Sequence, residues 1–195
     1  MACSGAIDGT SAPSTDERLR QLETIFRRYA PRVLDYARHR GATLAEAEDV
    51  VSEVFIVLTR RLDEAPAEIL PWLYGVARKV LGNQMRGKRR RVALTQRVEQ
   101  QEWMLHPADS EAPAMVEGDQ VILQALSLLS GKDREALLLV AWDELSYREA
   151  AQSLGCTATA FAQMLRRARL RMVETVERLR TCDIAELAAS GSRAR

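Results

Sequence analysis

Histidine and cysteine are scarce in this chain. Its 195 residues hold two histidines, His39 and His106, and three cysteines, Cys3, Cys156 and Cys182. The cysteines are odd in number, far apart and without a CxxC pair, which speaks against a disulfide framework or a thiolate zinc site. Two distant histidines supply no further ligand cluster, so neither a metal nor a cofactor is expected. Aromatic residues make up only 5% of the chain. No uninterrupted apolar run approaches the roughly 18 residues that a membrane-spanning helix needs. Met1 to Glu17 shows no basic patch followed by an apolar stretch, so no signal peptide is read there and the cytoplasm is the expected compartment. Period-two alternation, the mark of a half-buried strand, is absent. Gly131-Lys132 lacks the upstream glycine and the following Ser or Thr of a phosphate loop. No histidine-supported nucleophile is apparent. The chain is therefore expected to be neither an enzyme nor a receptor for a small-molecule substrate.

What is present is helix-forming residues and unevenly placed charge. The formal net charge is only +1, but five of the six residues from Arg86 to Arg91 are basic, and four of the six from Arg166 to Arg171. Glu99, Glu102, Asp109, Glu111, Glu117 and Asp119 lie between them. Two basic spots separated by an acidic stretch point to two nucleic-acid contacts on one chain.

The spacing predicts an all-α protein of two small helical domains joined by a linker, the second carrying a helix-turn-helix. Residues 1–16 read as a tail, 17–95 as the first domain, 96–118 as an acidic linker with Pro107 and Pro113, 119–182 as the second domain and 183–195 as a second tail. Ser14-x-x-Glu17 has capping-box spacing. It opens a first helix with Leu19, Leu22, Ile25, Phe26, Tyr29, Val33 and Leu34 on its apolar face, expected to kink or break at Pro31 and to end at Gly41. Thr43-x-x-Glu46 opens a second, with Ala47, Val50, Val51, Val54, Phe55 and Leu58 as its buried stripe. Asp63 to Glu68 is a turn, and Pro71 sits in the first turn of a third helix running to about Arg89. In the second domain, Val121, Ile122, Ala125, Leu126 and Leu129 mark one helix. Ser130-x-x-Asp133 opens another with Ala136, Leu137 and Val140, and Ser146-x-x-Glu149 a third that Gly155 ends. Thr157 caps a long last helix to about Arg180.

A short helix, a turn with Gly155 and a longer helix make a helix-turn-helix, whose second helix enters the major groove. At about 100° per residue, Phe161, Leu165, Ala168, Met172, Val176 and Leu179 form a core-facing stripe, and Thr159, Gln163, Arg166 and Arg167 face the other way. With Thr157 at the cap they are the candidate duplex contacts, Arg suiting guanine and Gln adenine. On the third helix Leu73, Val76, Ala77, Val80 and Leu81 form the buried stripe, while Trp72, Lys79, Asn83, Arg86 and Arg90 line a neighbouring ridge, with Arg89 beside it. Cations tracking phosphates beside a ring and an amide suit a separated strand. The second helix carries Glu46, Glu48, Asp49 and Glu53, which fit a solvated face or a docking face for a basic protein surface equally well.

These segments together resemble the ECF sigma factors of bacterial RNA polymerase. Ala47-Glu48-Asp49-Val50-Val51-Ser52-Glu53-Val54-Phe55 is similar to their polymerase-docking helix, and Trp72-Leu73-Tyr74-Gly75-Val76-Ala77-Arg78 with the basic run to their helix for the −10 element. Leu145-Ser146-Tyr147-Arg148-Glu149-Ala150-Ala151, Leu154-Gly155 and Arg167-Ala168-Arg169 are similar to their −35 reader. The resemblance spans roughly residues 18 to 180. It implies core RNA polymerase and promoter DNA as partners. Glu48, Asp49, Val50, Ser52, Glu53 and Phe55 would dock on polymerase, and Trp72, Lys79, Asn83, Arg86, Arg89 and Arg90 would contact −10 DNA. Thr157, Thr159, Gln163, Arg166 and Arg167 would contact −35 DNA. Non-template bases would be held between the Asp63 to Glu68 loop and the third helix. An anti-sigma factor is a common partner in the family, although no motif here marks one. The chain departs from the family pattern at Lys79, where Asn is usual, and at Phe161-Ala162-Gln163-Met164, where two usual cations are missing. The alternatives are a stand-alone helix-turn-helix regulator, which leaves the Asp49 to Phe55 helix without a purpose, and a helical adaptor that touches no DNA.

Overall fold

The structure is a computed structural model. It describes the backbone of residues 14–95 and 117–191, with side chains over 14–88 and 120–181. The described residues form seven α-helices, one 3-10 turn and no strand. The linker expected over 96–118 therefore lies almost wholly outside them, as do the side chains of Arg89 and Arg90.

Three helices form the first domain: α1 (Thr15–Arg38), α2 (Leu44–Arg60) and α3 (Ile69–Thr95), with a 3-10 turn at Leu62–Glu64 before α3. The capping boxes read from the sequence are made. Glu17 N donates to Ser14 Oγ and Ser14 N to Glu17 Oε2 at 3.2 and 2.7 Å, and Thr43 and Glu46 repeat the exchange. Helix α1 continues through Pro31 without interruption. It closes with Ala42 N donating back to Ala37 O, a reversal made through Gly41 at φ +83°. Val33, Tyr36, Ala37, Ala47, Val50, Val54, Leu58, Leu73 and Ala77 are fully buried between the three helices. Each of the larger ones contributes about 1.5–3 kcal/mol through removal from water. Leu19 and Phe26, expected on the buried face of α1, are instead about half exposed. Before Val33 the packing of α1 is partial, with Leu22, Ile25 and Tyr29 half-buried against the core, and Phe26 rests edge-on against Phe55 with ring centroids 4.8 Å apart.

The second domain consists of α4 (Glu117–Leu128), α5 (Gly131–Ala141), α6 (Tyr147–Leu154) and α7 (Ala158–Gly191). The Arg134 guanidinium donates to the carbonyls of Leu126, Ser127 and Leu129, satisfying the orphan acceptors at the end of α4. Ser146 and Glu149 make a capping box on α6. Gly155 ends α6 at φ +68°, and Ala160 N donates to Thr157 Oγ1 at 3.1 Å to start α7. Ala125, Leu126, Leu129, Ala136, Leu138, Leu139, Phe161, Leu165 and Ala168 fill the interior. Ile122, expected inside, is 37% exposed, and Leu137 and Val140 are only half-buried, because α5 turns Leu138 and Leu139 inward instead.

The two domains pack on each other. Helix α6 lies across α3 so closely that a Cβ on Gly75 would stand 3.1 Å from the Ser153 carbonyl oxygen. A side chain at position 75 would push the helices apart, which is the physical use of glycine there.

Candidate nucleic-acid interface

Helix α7 is held by its neighbours. Phe161, Leu165 and Ala168 anchor α7 in the core, and the Tyr147 ring meets Phe161 edge-on with centroids 5.9 Å apart. That packing turns Thr159, Gln163, Arg166 and Arg167 outward, all exposed, and the cap residue Thr157 is exposed as well. One turn farther along, Arg171 pairs with Asp133 of α5. Beside these side chains, Leu170 and Val173 are more than half exposed and border a shallow groove of about 260 Å³ with Tyr147, Ala162, Arg166 and Arg169.

On α3 the structure brings Lys79, Asn83 and Arg86 together on one exposed ridge. Arg86 donates to Asn83 Oδ1 at 2.5 Å, which holds the amide between two cations. Trp72 heads the ridge, half-buried and packed against the core. The turn before α3 is braced at Asp63, which accepts from Arg18 through both oxygens at 2.6 Å. Glu68, at its far end, accepts from Arg148 of α6 at 2.8 Å.

Along α2, Glu48, Asp49, Ser52 and Glu53 are exposed on one face. Val50 and Phe55 are not: Val50 is fully buried and Phe55 nearly so. Expected as docking contacts, they are instead core residues beneath the acidic face. Glu46 pairs with Lys88 near the basic end of α3. Burial pushes the Glu46 carboxyl up, but Lys88 and the Thr43 bonds outweigh it and hold the group below its ordinary value.

One cluster has no counterpart in the sequence reading. Arg40 is 5% exposed and its guanidinium lies 3.4 Å from the Tyr36 ring centroid. It donates to Glu135 at 2.7 and 3.1 Å, to Asp143 at 2.8 Å and to the Tyr36 carbonyl at 3.0 Å. The Tyr36 hydroxyl donates to Glu135 at 2.8 Å, and Arg32 to the Asp143 carbonyl at 3.1 Å. Arg40 and Tyr36 belong to α1, Glu135 to α5 and Asp143 to the turn after it, so this network joins the domains. Among the described residues no group of His, Cys, Asp and Glu could hold a metal ion, and no helix is long and apolar enough to cross a membrane.

The Sigma-70 region 2 family matches residues 25–91, covering α2 and the exposed ridge of α3, and the Sigma-70 region 4 family matches residues 119–172, covering the helix-turn-helix. The chain belongs to the sigma-70 family. It is a sigma factor of the ECF type. Among its relatives are the RNA polymerase sigma factor NccH of Alcaligenes xylosoxydans xylosoxydans, 26% identical over 85% of this chain and 96% of that protein, and YlaC of Bacillus subtilis, 24% identical over 82% and 94%. The probable RNA polymerase sigma factor RfaY of Xanthomonas campestris is 29% identical over 65% of this sigma factor, which spans only 33% of RfaY. In fold the sigma factor is similar to RpoE in its co-crystal structure with the anti-sigma factor NepR from Bartonella quintana. The TM-score there is 0.62, at 24% identity over 81% of this chain and 98% of that one. It is also similar to CnrH in complex with the cytosolic domain of CnrY, with a TM-score of 0.57 at 20% identity over 82% and 89%.

Proposed function

We propose that this sigma factor binds core RNA polymerase through the acidic face of α2, opens the −10 element along the ridge of α3 and reads −35 duplex with the exposed face of α7. The observation that carries this reading is the separation of three chemically distinct surfaces on one chain. Glu48, Asp49, Ser52 and Glu53 form an acidic face that repels DNA but suits a basic protein surface. Lys79, Asn83 and Arg86 form a cationic ridge with an amide, headed by a half-buried tryptophan, which matches the needs of a separated strand. Thr157, Thr159, Gln163, Arg166 and Arg167 stand on the groove-facing side of a helix-turn-helix. Arg89 and Arg90 extend the ridge by sequence. Domain limits of 17–95 and 119–182 are proposed around the matched segments. Polymerase performs the nucleotide chemistry and the sigma factor supplies specificity and melting, which places it in the cytoplasm with the chromosome. An anti-sigma factor is proposed as a further partner, since the similar RpoE and CnrH folds were each solved with a second protein, NepR and CnrY.

The test is transcription from a genomic fragment library by purified core polymerase, with and without the chain. New start sites sharing paired upstream elements are expected. Tight binding to duplex DNA by the chain alone with no new starts would favour a stand-alone regulator, a reading that leaves the α2 face and α3 ridge unused.

A further inference from the structure

The region 4 match ends at residue 172, whereas α7 runs on to Gly191. The outer side of this helix carries a stripe that neither the core nor the proposed DNA contacts use. Leu170 and Val173 are more than half exposed, and they are the exposed large apolar side chains among the described residues of α7. Glu177 and Arg180 follow them, both exposed, and neither makes an ion pair among the described residues. At about 100° per residue the four lie within roughly 80° of one another, centred about 140° from Phe161. They therefore point away from Phe161, Leu165, Ala168 and Thr175, the buried stripe of the same helix. Successive members are three or four residues apart. Positions 184 and 187, filled by isoleucine and leucine, continue the series along α7. A three-four alternation of apolar positions is the pattern by which one helix packs along another.

We propose that this stripe is a self-association surface and that its occupant is α7 of a second copy of the chain, lying antiparallel. The charges choose the orientation. A parallel partner would set Glu177 against Glu177 and Arg180 against Arg180, and like charges facing each other oppose association. An antiparallel partner, about a two-fold axis between residues 178 and 179, sets Glu177 against Arg180 twice. The same register brings Leu170 to position 187 and Val173 to position 184. Every layer of the seam is then apolar on apolar or acid on base, the self-complementarity that a two-fold interface demands. The shallow groove bordered by Leu170 and Val173 lies at the end of the seam, where position 187 of the second copy arrives. Duplex DNA does not suit this surface, because exposed apolar side chains give phosphates no partner and the Glu177 carboxylate repels them. From position 170 to 187 the seam is about 26 Å long at about 1.5 Å per residue. It is short, and its central layers are ionic, which fixes register at a cost in stability. The dimer is accordingly weak and depends on concentration. The surface stands apart from promoter reading, and neither it nor its test depends on the sigma-factor assignment.

Sedimentation equilibrium on the full chain, without polymerase or DNA, tests the seam. Wild type is expected to follow a monomer–dimer equilibrium with a dissociation constant of about 10–100 µM. Glu177→Arg sets arginine against Arg180, and Arg180→Glu sets glutamate against Glu177. Each alone is expected to weaken association by roughly tenfold or more. The double variant Glu177→Arg with Arg180→Glu restores opposite charges in both layers and should return association to the wild-type range, as should an equimolar mixture of the two single variants. Leu170→Lys with Val173→Lys changes only exposed positions, so thermal unfolding should match wild type while the protein stays monomeric throughout. A wild type that is monomeric at concentrations well above that range overturns the proposal. So does a dimer indifferent to the single charge reversals, or one that the double reversal and the mixture fail to restore.

Discussion

Arg171 Nη1 lies 2.5 Å from Asp133 Oδ2, tying the middle of α7 to the start of α5. Asp133 is buried and also accepts from Ser130 Oγ at 2.7 Å, while its own backbone N–H donates back to that hydroxyl at 3.2 Å. Asp133→Ala removes two bonds to a charged acceptor and is expected to destabilise the second domain by about 2 kcal/mol, read by denaturant unfolding. Burial pushes the Asp133 carboxyl up, but Ser130 and Arg171 prevail and hold it below its ordinary 3.8. A depressed value means that the folded state favours the ionised form. Its contribution is present above pH 3.8 and fades as pH falls through the lower folded value. Unfolding curves for wild type should therefore lose stability in that acid range, and Asp133→Asn should lose less. Parallel losses would remove Asp133 from this role.

The local structure was legible in the sequence because its determinants are local. Ser14 with Glu17, Thr43 with Glu46 and Ser146 with Glu149 all form the capping boxes that their spacing announces, and Gly41 and Gly155 adopt the positive φ expected of helix stops. The outward face of α7 follows from periodicity once Phe161 is set inside. The Arg40 network was not legible. In the sequence Arg40 is one more cation in Ala37-Arg38-His39-Arg40, and its partners lie 95 and 103 positions away. Nothing local separates a buried arginine from a solvated one. The burial of Val50 and Phe55 shows a different limit: a motif says which residues travel together and not which of them face outward.

Arg167 stands exposed on α7, on the side proposed to face the groove. If it pairs with a guanine, Arg167→Ala is expected to weaken −35 duplex binding by about 1–3 kcal/mol and relax preference at one base pair. If it contacts a phosphate, affinity falls evenly across sequences and the salt slope drops by about 1. Anisotropy titrations on two duplexes at several salt concentrations separate the two. Unchanged affinity and preference would exclude it from the reader.

Asp49 is exposed on α2, one position before the fully buried Val50. Asp49→Lys reverses a charge on the proposed docking face without touching the core. Its thermal unfolding should match wild type, while assembly with core polymerase in size-exclusion chromatography should fall. Normal assembly would remove the acidic face from docking.

Gly155 sits at φ +68° between the two helices of the helix-turn-helix, with open space where a Cβ would point. The cost of Gly155→Ala is thus conformational and not steric, about 1 kcal/mol for a non-glycine residue in the left-handed region. Differential scanning calorimetry should show the loss, and Gly155→Asn, which tolerates that region better, should lose less.

Lys79 departs from the family's usual Asn, and with Arg86 it flanks Asn83 on the exposed ridge of α3. On the proposed reading, a cation there follows a phosphate where an amide would contact a base, exchanging specificity for electrostatic grip. Lys79→Ala is expected to reduce the fraction of promoter opened by holoenzyme, read by permanganate reactivity of unpaired thymines, with −35 binding unchanged. Lys79→Asn should recover opening only on templates whose −10 sequence suits an amide. Equal opening by all three forms on every template would place Lys79 outside the melting surface and leave Asn83 and Arg86 to carry it.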